Sequence, residues 1–210
     1  LTNFNLFEIL THIGHSEKVL SMRIFIAVVV FIFSLQFLTK ADDIRDFQIE
    51  GMSIGDNLLD YYSKVEIKSN EKKYYKKKDY IPVWIKNSNF KDYDGVQFHY
   101  QKIQSDYIIV GIEGIIFYKD NMEDCYKRMN EIDKTFMDSF SSLDRKDYGI
   151  MKHPGDKSGK STAKDIVYFF NSEDAMYVKC FDWSKKMSFT DNLRVGLKTK
   201  ELNHWYDTAY

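Results

Sequence analysis

The sequence lacks most of the features that identify catalytic, metal-binding or disordered proteins. Only two of its 210 residues are proline and ten are glycine, while 44% are hydrophobic and 16% aromatic, a composition typical of a packed globular chain. It has no C-x-x-C pair and no H-E-x-x-H metal site, and we predict no nucleophile elbow. The sequence therefore predicts no catalytic residue, no metal ligand and no cofactor.

An excess of charge of one sign is also missing. The formal net charge is −1, with 30 Lys and Arg against 31 Asp and Glu. Removing residues 1–41 takes away three cationic and two anionic side chains, so the remainder carries −2. Nucleic-acid binding depends mainly on neutralised phosphates. The near-neutral balance therefore argues against a nucleic-acid partner.

The chain has no apolar run long enough for an ordinary membrane span, but it has one that suits export. Met22 and Arg23 precede fifteen largely apolar residues, 24–38, and small residues at Thr39 and Ala41 precede an acidic pair. This pattern predicts a signal peptide over residues 22–41, cleaved after Ala41. We interpret residues 1–21 as an upstream extension and 42–210 as a single periplasmic or secreted α+β domain. The alternative is an inner-membrane anchor formed by residues 24–38.

The two cysteines, Cys125 and Cys180, both lie in the part predicted to be exported. An even count in an oxidising compartment favours a disulfide, and each cysteine falls on an apolar face of its segment. Two separate buried thiols are the alternative. A bridge closing a loop of about 55 residues would contribute about 4 kcal/mol.

The central part of the sequence predicts a strand followed by a long helix. Residues Tyr107–Tyr118 are rich in β-branched and aromatic side chains, which predicts a central strand. From Met122 to Phe140 apolar residues recur at steps of three and four, which predicts one buried helical face and places Asp133 on the exposed face. Asp120 and Glu123 predict a capping box at its start. The stripe is interpreted as core packing.

The rest of the mature chain predicts short strands and two short helices. Strands are predicted at Tyr80–Lys86, around Val96–Tyr100, at Ile166–Phe170, at Met176–Trp183 and around Leu193–Leu197. Alternation predicts one solvent-exposed face for the strands around Val96–Tyr100 and around Leu193–Leu197. His99 lies on the predicted exposed face of the first of these two strands. Helices are predicted at Ile54–Glu66 and within Thr199–Tyr210, a first strand at Asp42–Ile49, and a long loop at Asp144–Lys164. The fold class is α+β, with a mostly antiparallel sheet of five to seven strands and the long helix packed on one face.

Three further features were considered as sites. The lysine-rich run at residues 68–78 is interpreted as a solvated loop or guarded sheet edge, or alternatively as a patch for anionic surfaces. Gly155–Thr162 resembles a phosphate-binding loop but has the wrong glycine spacing and no predicted strand before it. The histidines of the exported part, His99, His153 and His204, form no metal pair at helical spacing. The patch residues are Lys72, Lys73, Lys76, Lys77 and Lys78.

Three stretches carry a resemblance to a known group. Residues 44–63 (IRDFQIEGMSIGDNLLDYYS), 111–132 (GIEGIIFYKDNMEDCYKRMNEI) and 179–187 (KCFDWSKKM) resemble uncharacterised exported proteins of low-GC marine bacteria of the SAR11 type. The resemblance implies export, and no catalytic role carries over from it. We therefore expect a non-catalytic periplasmic protein that binds a small ligand or an envelope component. The alternative is a periplasmic hydrolase, which would require a concave site with a perturbed titratable group.

Overall fold

A seven-stranded antiparallel sheet organises the fold. The computed structural model describes residues 43–103 and 106–210, so the predicted upstream extension and signal peptide lie outside the described residues. The strands lie in the order β1-β2-β3-β7-β6-β5-β4. Their bounds are Tyr80–Ile85, Gly95–Gln101, Ile109–Phe117, Asp144–Lys152, Thr162–Phe169, Ala175–Asp182 and Asn192–Lys198 for β1 to β7. The predicted strand at Tyr107–Tyr118 is confirmed as β3, which lies between β2 and β7.

Three α-helices accompany the sheet in the described part of the chain. They are α1, Lys64–Ser69; α2, Met122–Ser139; and α3, Lys200–Tyr206. Helix α2 has 18 residues and packs on β6 and β7. The predicted α+β class, with one long helix on an antiparallel sheet, is confirmed. No helix in the described residues combines the length and the apolar character needed to cross a bilayer.

Helix α2 follows its predicted stripe with two differences. Cys125, Met129 and Phe136 are buried against the sheet. The predicted cap at Asp120 is wrong by one residue, because the Asn121 side chain accepts from the Asp124 backbone N–H. The predicted exposure of Asp133 is also wrong: it is 7% exposed and pairs with a strand residue described below.

A disulfide fixes α2 to the sheet. Cys125 on α2 and Cys180 on β6 are bridged, with 6.2 Å between their Cα atoms, and both side chains are fully buried. The predicted bridge is therefore confirmed. Because disulfides persist in oxidising compartments, it indicates an extracytoplasmic environment.

The N-terminal segment differs from its prediction. In place of a strand at Asp42–Ile49 and a helix at Ile54–Glu66, it forms 3₁₀ turns at Ile44–Asp46 and Leu58–Asp60, followed by the short α1. The backbone N–H of Gly55 donates to the Ile109 carbonyl and that of Ile109 donates to the Asp56 carbonyl. These bonds hold the segment against β3, and groups used in this way are not available to a helix.

The predicted loop at Asp144–Lys164 contains one whole strand and the start of another. Its first nine residues form β4, the edge strand beyond β5, with a bulge between Asp147 and Ile150 where Gly149 has a φ of +64°. Most side chains of β4 are exposed or half-buried, which explains why its polar composition looked like a loop. Only residues 153–161 remain as a connection between β4 and β5.

Both faces of the central strands are covered. On one face, side chains of β2, β3, β6 and β7 pack beneath α2 and the N-terminal segment. The predicted solvent exposure of the other face of β2 and β7 is wrong, since Gln97, His99, Asn192 and Lys198 are all buried. Part of this second face lies beneath α3, where Leu202 packs over Gly111, and the rest lines a cleft.

Candidate functional site

The cleft lies on the sheet face opposite α2 and has a volume of about 900 Å³. Side chains alternate between the two faces of a strand, so Tyr177, Lys179 and Phe181 of β6 point into the cleft while Met176, Val178 and Cys180 point toward α2. Its floor comes from β3, β7, β6 and β5. Its walls come from residues 73–75, 151–155, 183–190 and 203–210.

Aromatic rings form much of the wall. Phe181 and Trp183 stack with ring centroids 5.1 Å apart, and the His153 ring lies 4.6 Å from that of Trp183. Planar apolar surfaces of this kind favour a ligand with an apolar, ring-like body. The aromatic residues lining the cleft are Tyr74, Tyr75, Trp84, Phe117, Tyr148, Phe169, Tyr177, Phe181, Trp183, Phe189, Tyr206 and Tyr210.

A buried carboxylate, Glu113 of β3, is fully partnered at the floor. Its Oε1 accepts from Arg194 Nη1 and from Gln97 Nε2, each at 2.6 Å, and its Oε2 accepts from Tyr177 Oη at 2.6 Å. Burial acts to raise the pKa of Glu113, but Arg194, His99 and the Tyr177 hydroxyl outweigh it and hold the pKa below its usual value. Glu113 is therefore an ionised, fully bonded structural group.

Glycine at position 196 allows this arrangement. A methyl group at Gly196 of β7 would lie 2.5 Å from Cζ of Tyr177 and 2.9 Å from Cβ of Glu113. Without it, the Tyr177 ring can lie across β7 and reach the Glu113 carboxylate. Any larger residue would displace the ring.

A second ion pair joins β6 to β5. Lys179 Nζ lies 2.6 Å from Asp165 Oδ2, and both side chains are largely buried. The other carboxylate oxygen, Asp165 Oδ1, is buried and has no hydrogen-bond partner among the described residues. Lys179 is thus mostly neutralised by its neighbour.

Among the described residues, Lys198 is the buried cation of the cleft that lacks a counter-ion. It is 8% exposed, and within residues 43–103 and 106–210 its ammonium has no hydrogen-bond or ion-pair partner. It lies instead 4.9 Å from the ring centroid of Tyr177 and 5.7 Å from that of Tyr206. The pKa of Lys198 is lowered to about 8, mainly by burial. The nearby Lys179 charge also lowers this pKa, whereas Asp165 and Glu113 act to raise it.

The charge of the lining as a whole is positive. Five cationic side chains line the cleft against three carboxylates, an excess of two. Glu113 and Asp165 are each paired with one of the cations, and Asp207 is exposed. The cations are Lys73, Lys152, Lys179, Arg194 and Lys198.

The three candidate histidines have separate surroundings. His99, predicted to be solvent-exposed, is 1% exposed and its Nε2 is 3.1 Å from Tyr206 Oη; burial lowers its pKa to about 4. His153 lines the cleft, its Nδ1 accepts from the Gly155 N–H, and burial lowers its pKa to about 4. His204 is exposed near Glu173. No group of three His, Cys, Asp or Glu side chains in the described residues could hold a metal ion.

The loop that resembles a phosphate-binding loop binds its own carboxylate. Asp156 Oδ1 accepts from the Ser158 N–H, and Oδ2 accepts from Ser161 N–H and Oγ and from Ser184 Oγ. These donors hold the pKa of Asp156 well below its usual range. The loop is therefore a structural connection at the rim of the cleft, tied to residues 183–190 through Ser184.

The lysine-rich run lies along the edge of β1. Lys73, Lys76, Lys77 and Lys78 are exposed and Lys72 is half-buried. The run is held in place because Glu71 bridges to Val83 and the Lys76 N–H donates to the Ala209 carbonyl. Binding of this patch to an anionic surface stays a prediction.

Sequence reasoning missed the cleft residues and one serine motif. Arg194 and Lys198 share strand parity, which favoured a solvent-exposed face for β7. Lys179 lies between Tyr177 and Phe181 in its parity, so the pattern of β6 did not single it out. The sequence Gly51–Gly55 fits G-x-S-x-G, but Ser53 Oγ donates to the Phe47 carbonyl and no strand leads into an α-helix there. The segment is therefore not a nucleophile elbow.

Comparison with known proteins adds no family. No protein-family model matches the chain, and neither a curated protein nor a solved structure is significantly similar to it.

Proposed function

We propose that residues 42–210 form an extracytoplasmic binding domain whose cleft takes a small organic anion with a ring-like apolar body. The observation that carries the proposal is Lys198, a buried side chain whose ammonium lines a cleft of about 900 Å³ and has no counter-ion among the described residues. Such volumes are typical of sites for small molecules.

The energetic reason is the cost of burying an unpaired charge. A buried ammonium with no anionic partner is destabilised, and a bound anion would offset that cost. Arg194 and Lys179 already have protein carboxylates at 2.6 Å. The other two cations of the lining are exposed, which leaves Lys198 as the buried cation open to a ligand. The net positive lining would also attract anions to the cleft.

The aromatic wall of the cleft suits a ligand with an apolar part. Trp183, Phe181 and the Tyr210 ring surround His153, whose lowered pKa keeps it neutral at pH 7. A flat apolar group can therefore stack there without facing a protonated imidazole. An aromatic carboxylate matches both the wall and the ammonium.

The exported location has independent support. The Cys125–Cys180 bridge indicates an oxidising environment, and the resemblance to exported marine-bacterial proteins agrees with it. Cleavage after Ala41 remains a proposal, and the intact mass of the protein recovered from a periplasmic fraction tests it. A mass beginning at Asp42 is expected, whereas a mass that retains residues 24–38 would mean a membrane-anchored protein.

Ligand binding is tested by titrating the protein with three isosteric probes while following tryptophan fluorescence and heat. The probes are 4-methylbenzoate, 4-methylbenzamide and 4-methylbenzylamine. We expect the carboxylate to bind at least about tenfold more tightly than either other probe, because a contact between opposite charges is worth about 1.4 kcal/mol or more.

The matched variants are Lys198→Met and Lys78→Met. The first removes the unpaired cation and should abolish the preference for the carboxylate. The second removes an exposed lysine outside the cleft and should leave the preference unchanged. Equal binding of all three probes, or an unchanged preference in Lys198→Met, would contradict the proposal.

The predicted alternative, a periplasmic hydrolase, has less support. A hydrolase of the serine type needs a hydroxyl bonded to a general base. In the described residues Ser161 and Ser184 hydroxyls donate to Asp156, the Ser53 hydroxyl donates to a backbone carbonyl, and no serine is hydrogen-bonded to a histidine. The concave site required by that alternative serves binding as well, so the lack of a serine bonded to a histidine among the described residues favours binding.

A further inference from the structure

The surroundings of Lys198 suit a chemical role beyond charge. Its amine opens into the cleft, it is not committed to any acceptor in the described residues, and it is held over the rings of Tyr177 and Tyr206. We infer that Lys198 forms a reversible imine with an aldehyde or ketone group of the bound anion. This inference rests on the proposed function, because the anion brings its carbonyl group to the amine.

The groups facing Lys198 explain why its amine is available. Lys179 from β6 is the nearest competing cation, and its ammonium lies 5.5 Å from the same Tyr177 ring. Three carboxylates act to raise the pKa of Lys198: Asp165 on β5, Glu113 on β3 and Asp207 after α3. The first two are already paired with Lys179 and Arg194. Desolvation and a neighbouring cation are the two means by which proteins keep a lysine partly unprotonated. The resulting pKa of about 8 leaves about a tenth of the amine neutral at pH 7, against under about a thousandth for an ordinary lysine.

The reaction balances with water as the only by-product. The neutral Nζ lone pair forms a bond to the carbonyl carbon, and the carbonyl electron pair moves to oxygen, which takes up the proton released by nitrogen. The carbinolamine then loses its hydroxyl group with one proton from solvent as water, giving a protonated imine. The product keeps one positive charge on nitrogen, so an anionic group on the ligand remains compensated.

The structure limits the ligand class further. The carbonyl compound must carry an anionic group to be attracted to the cleft and a flat apolar part to lie against Trp183 and Phe181. Aromatic or unsaturated oxo acids meet these conditions. Aliphatic amines or neutral sugars do not.

The test is reductive trapping with 4-formylbenzoate and sodium cyanoborohydride at pH 7, followed by intact mass and peptide mapping. Cyanoborohydride supplies the hydride that converts the imine to a stable secondary amine. We expect one adduct at Lys198, formed at least about tenfold faster than adducts at the exposed Lys76 and Lys78, because of the larger neutral fraction. Excess 4-methylbenzoate, which has no carbonyl carbon able to form an imine, should protect Lys198 but not the exposed lysines.

Two further measurements separate this inference from the proposed function. Lys198→Arg keeps the positive charge without a nucleophilic amine, so it should still bind 4-methylbenzoate but show no adduct at residue 198. In the natural protein, the labelling rate at Lys198 should rise with pH and level off just above 8. Normal binding of 4-methylbenzoate with labelling confined to exposed lysines would overturn the imine and leave the binding proposal standing. Absence of both binding and Lys198 labelling in the natural protein would overturn the binding proposal and the imine together. Because the mapping uses the natural protein, its result does not depend on whether a variant folds.

Discussion

Arg145 of the edge strand holds Asp133 of helix α2 through two parallel hydrogen bonds, Nε to Oδ1 at 2.8 Å and Nη2 to Oδ2 at 2.7 Å. The Tyr168 hydroxyl on β5 donates to the same carboxylate at 2.5 Å. The helix and the outer sheet edge are thus joined by a buried, fully bonded charge. This contact complements the disulfide, which ties the same helix to β6.

We expect Asp133→Ala to lower the free energy of unfolding by about 2 to 3 kcal/mol, because it leaves the half-buried Arg145 with only Asp147, 3.9 Å away, as a counter-ion. Urea denaturation at pH 7 measures the change. Asp138→Ala, at an exposed position on the same helix, is the control and should change stability by less than about 0.5 kcal/mol. Arg145 and Tyr168 lower the pKa of Asp133 against the effect of burial, so the folded protein binds fewer protons and the contribution falls as pH drops below about 4. Equal stability of both variants would contradict this account.

Removal of the disulfide should cost about 4 kcal/mol, since the bridge closes a loop with a sequence separation of 55. The double variant Cys125→Ala, Cys180→Ala is compared with the natural protein in urea, each with and without dithiothreitol. The reductant should destabilise only the natural protein. Both sulfurs are fully buried, so reduction without denaturant should be slow. Rapid reduction in buffer would show that the α2–β6 contact opens readily.

Replacing the unpaired cation should stabilise the domain when no ligand is present. Lys198→Met is expected to raise the free energy of unfolding at pH 7 by about 1 to 3 kcal/mol, since a pKa lowered from 10.5 to about 8 reflects a penalty of about 1.4 kcal/mol per unit. The unfolded chain holds the proton between these two pH values and the folded chain does not, so the natural protein gains stability as pH rises. The advantage of the variant should therefore shrink between pH 7 and pH 9. A variant less stable at both pH values would show that the contact with Tyr177 outweighs desolvation.

Acid should destabilise the protein through a buried histidine. The pKa of His99 is lowered from 6.5 to about 4 by burial, so between these values the unfolded chain is protonated and the folded chain is not. Stability should fall as pH drops through this range, by about 3 kcal/mol for His99 alone. His99→Gln should reduce the pH slope measured by urea denaturation from pH 7 to pH 4. His204→Gln, at an exposed position, should keep the natural slope, and an identical slope in both variants would exclude His99 as the source.

The sheet face beneath α2 could be predicted from local sequence pattern better than the cleft could. Steps of three and four residues identified Cys125, Met129 and Phe136 because helical periodicity is a property of consecutive residues. Burial of Asp133 could not be predicted, since its partner Arg145 lies in a stretch without apolar alternation. The same applies to the helix predicted from Ile54, which is overruled by backbone bonds to distant Ile109.

The candidate site was hidden for a related reason. A period of two shows that Arg194 and Lys198 share a face, but it does not show what covers that face. Here Tyr75, Tyr206 and Trp205, at distant sequence positions, gather over the second face. Polar residues on a strand are exposed or functional depending on such contacts, which only the three-dimensional fold supplies.

The position of β7 also has a consequence for how the chain can be assembled. Hairpin pairing can build β1–β2–β3 from neighbouring residues, and likewise β4–β5–β6, but the two halves meet only through the last strand of the sheet. Until Asn192–Lys198 inserts, β3 and β6 both present open edges that could pair with other chains. Insertion of this one strand therefore closes both open edges at once and joins the two halves into a single sheet.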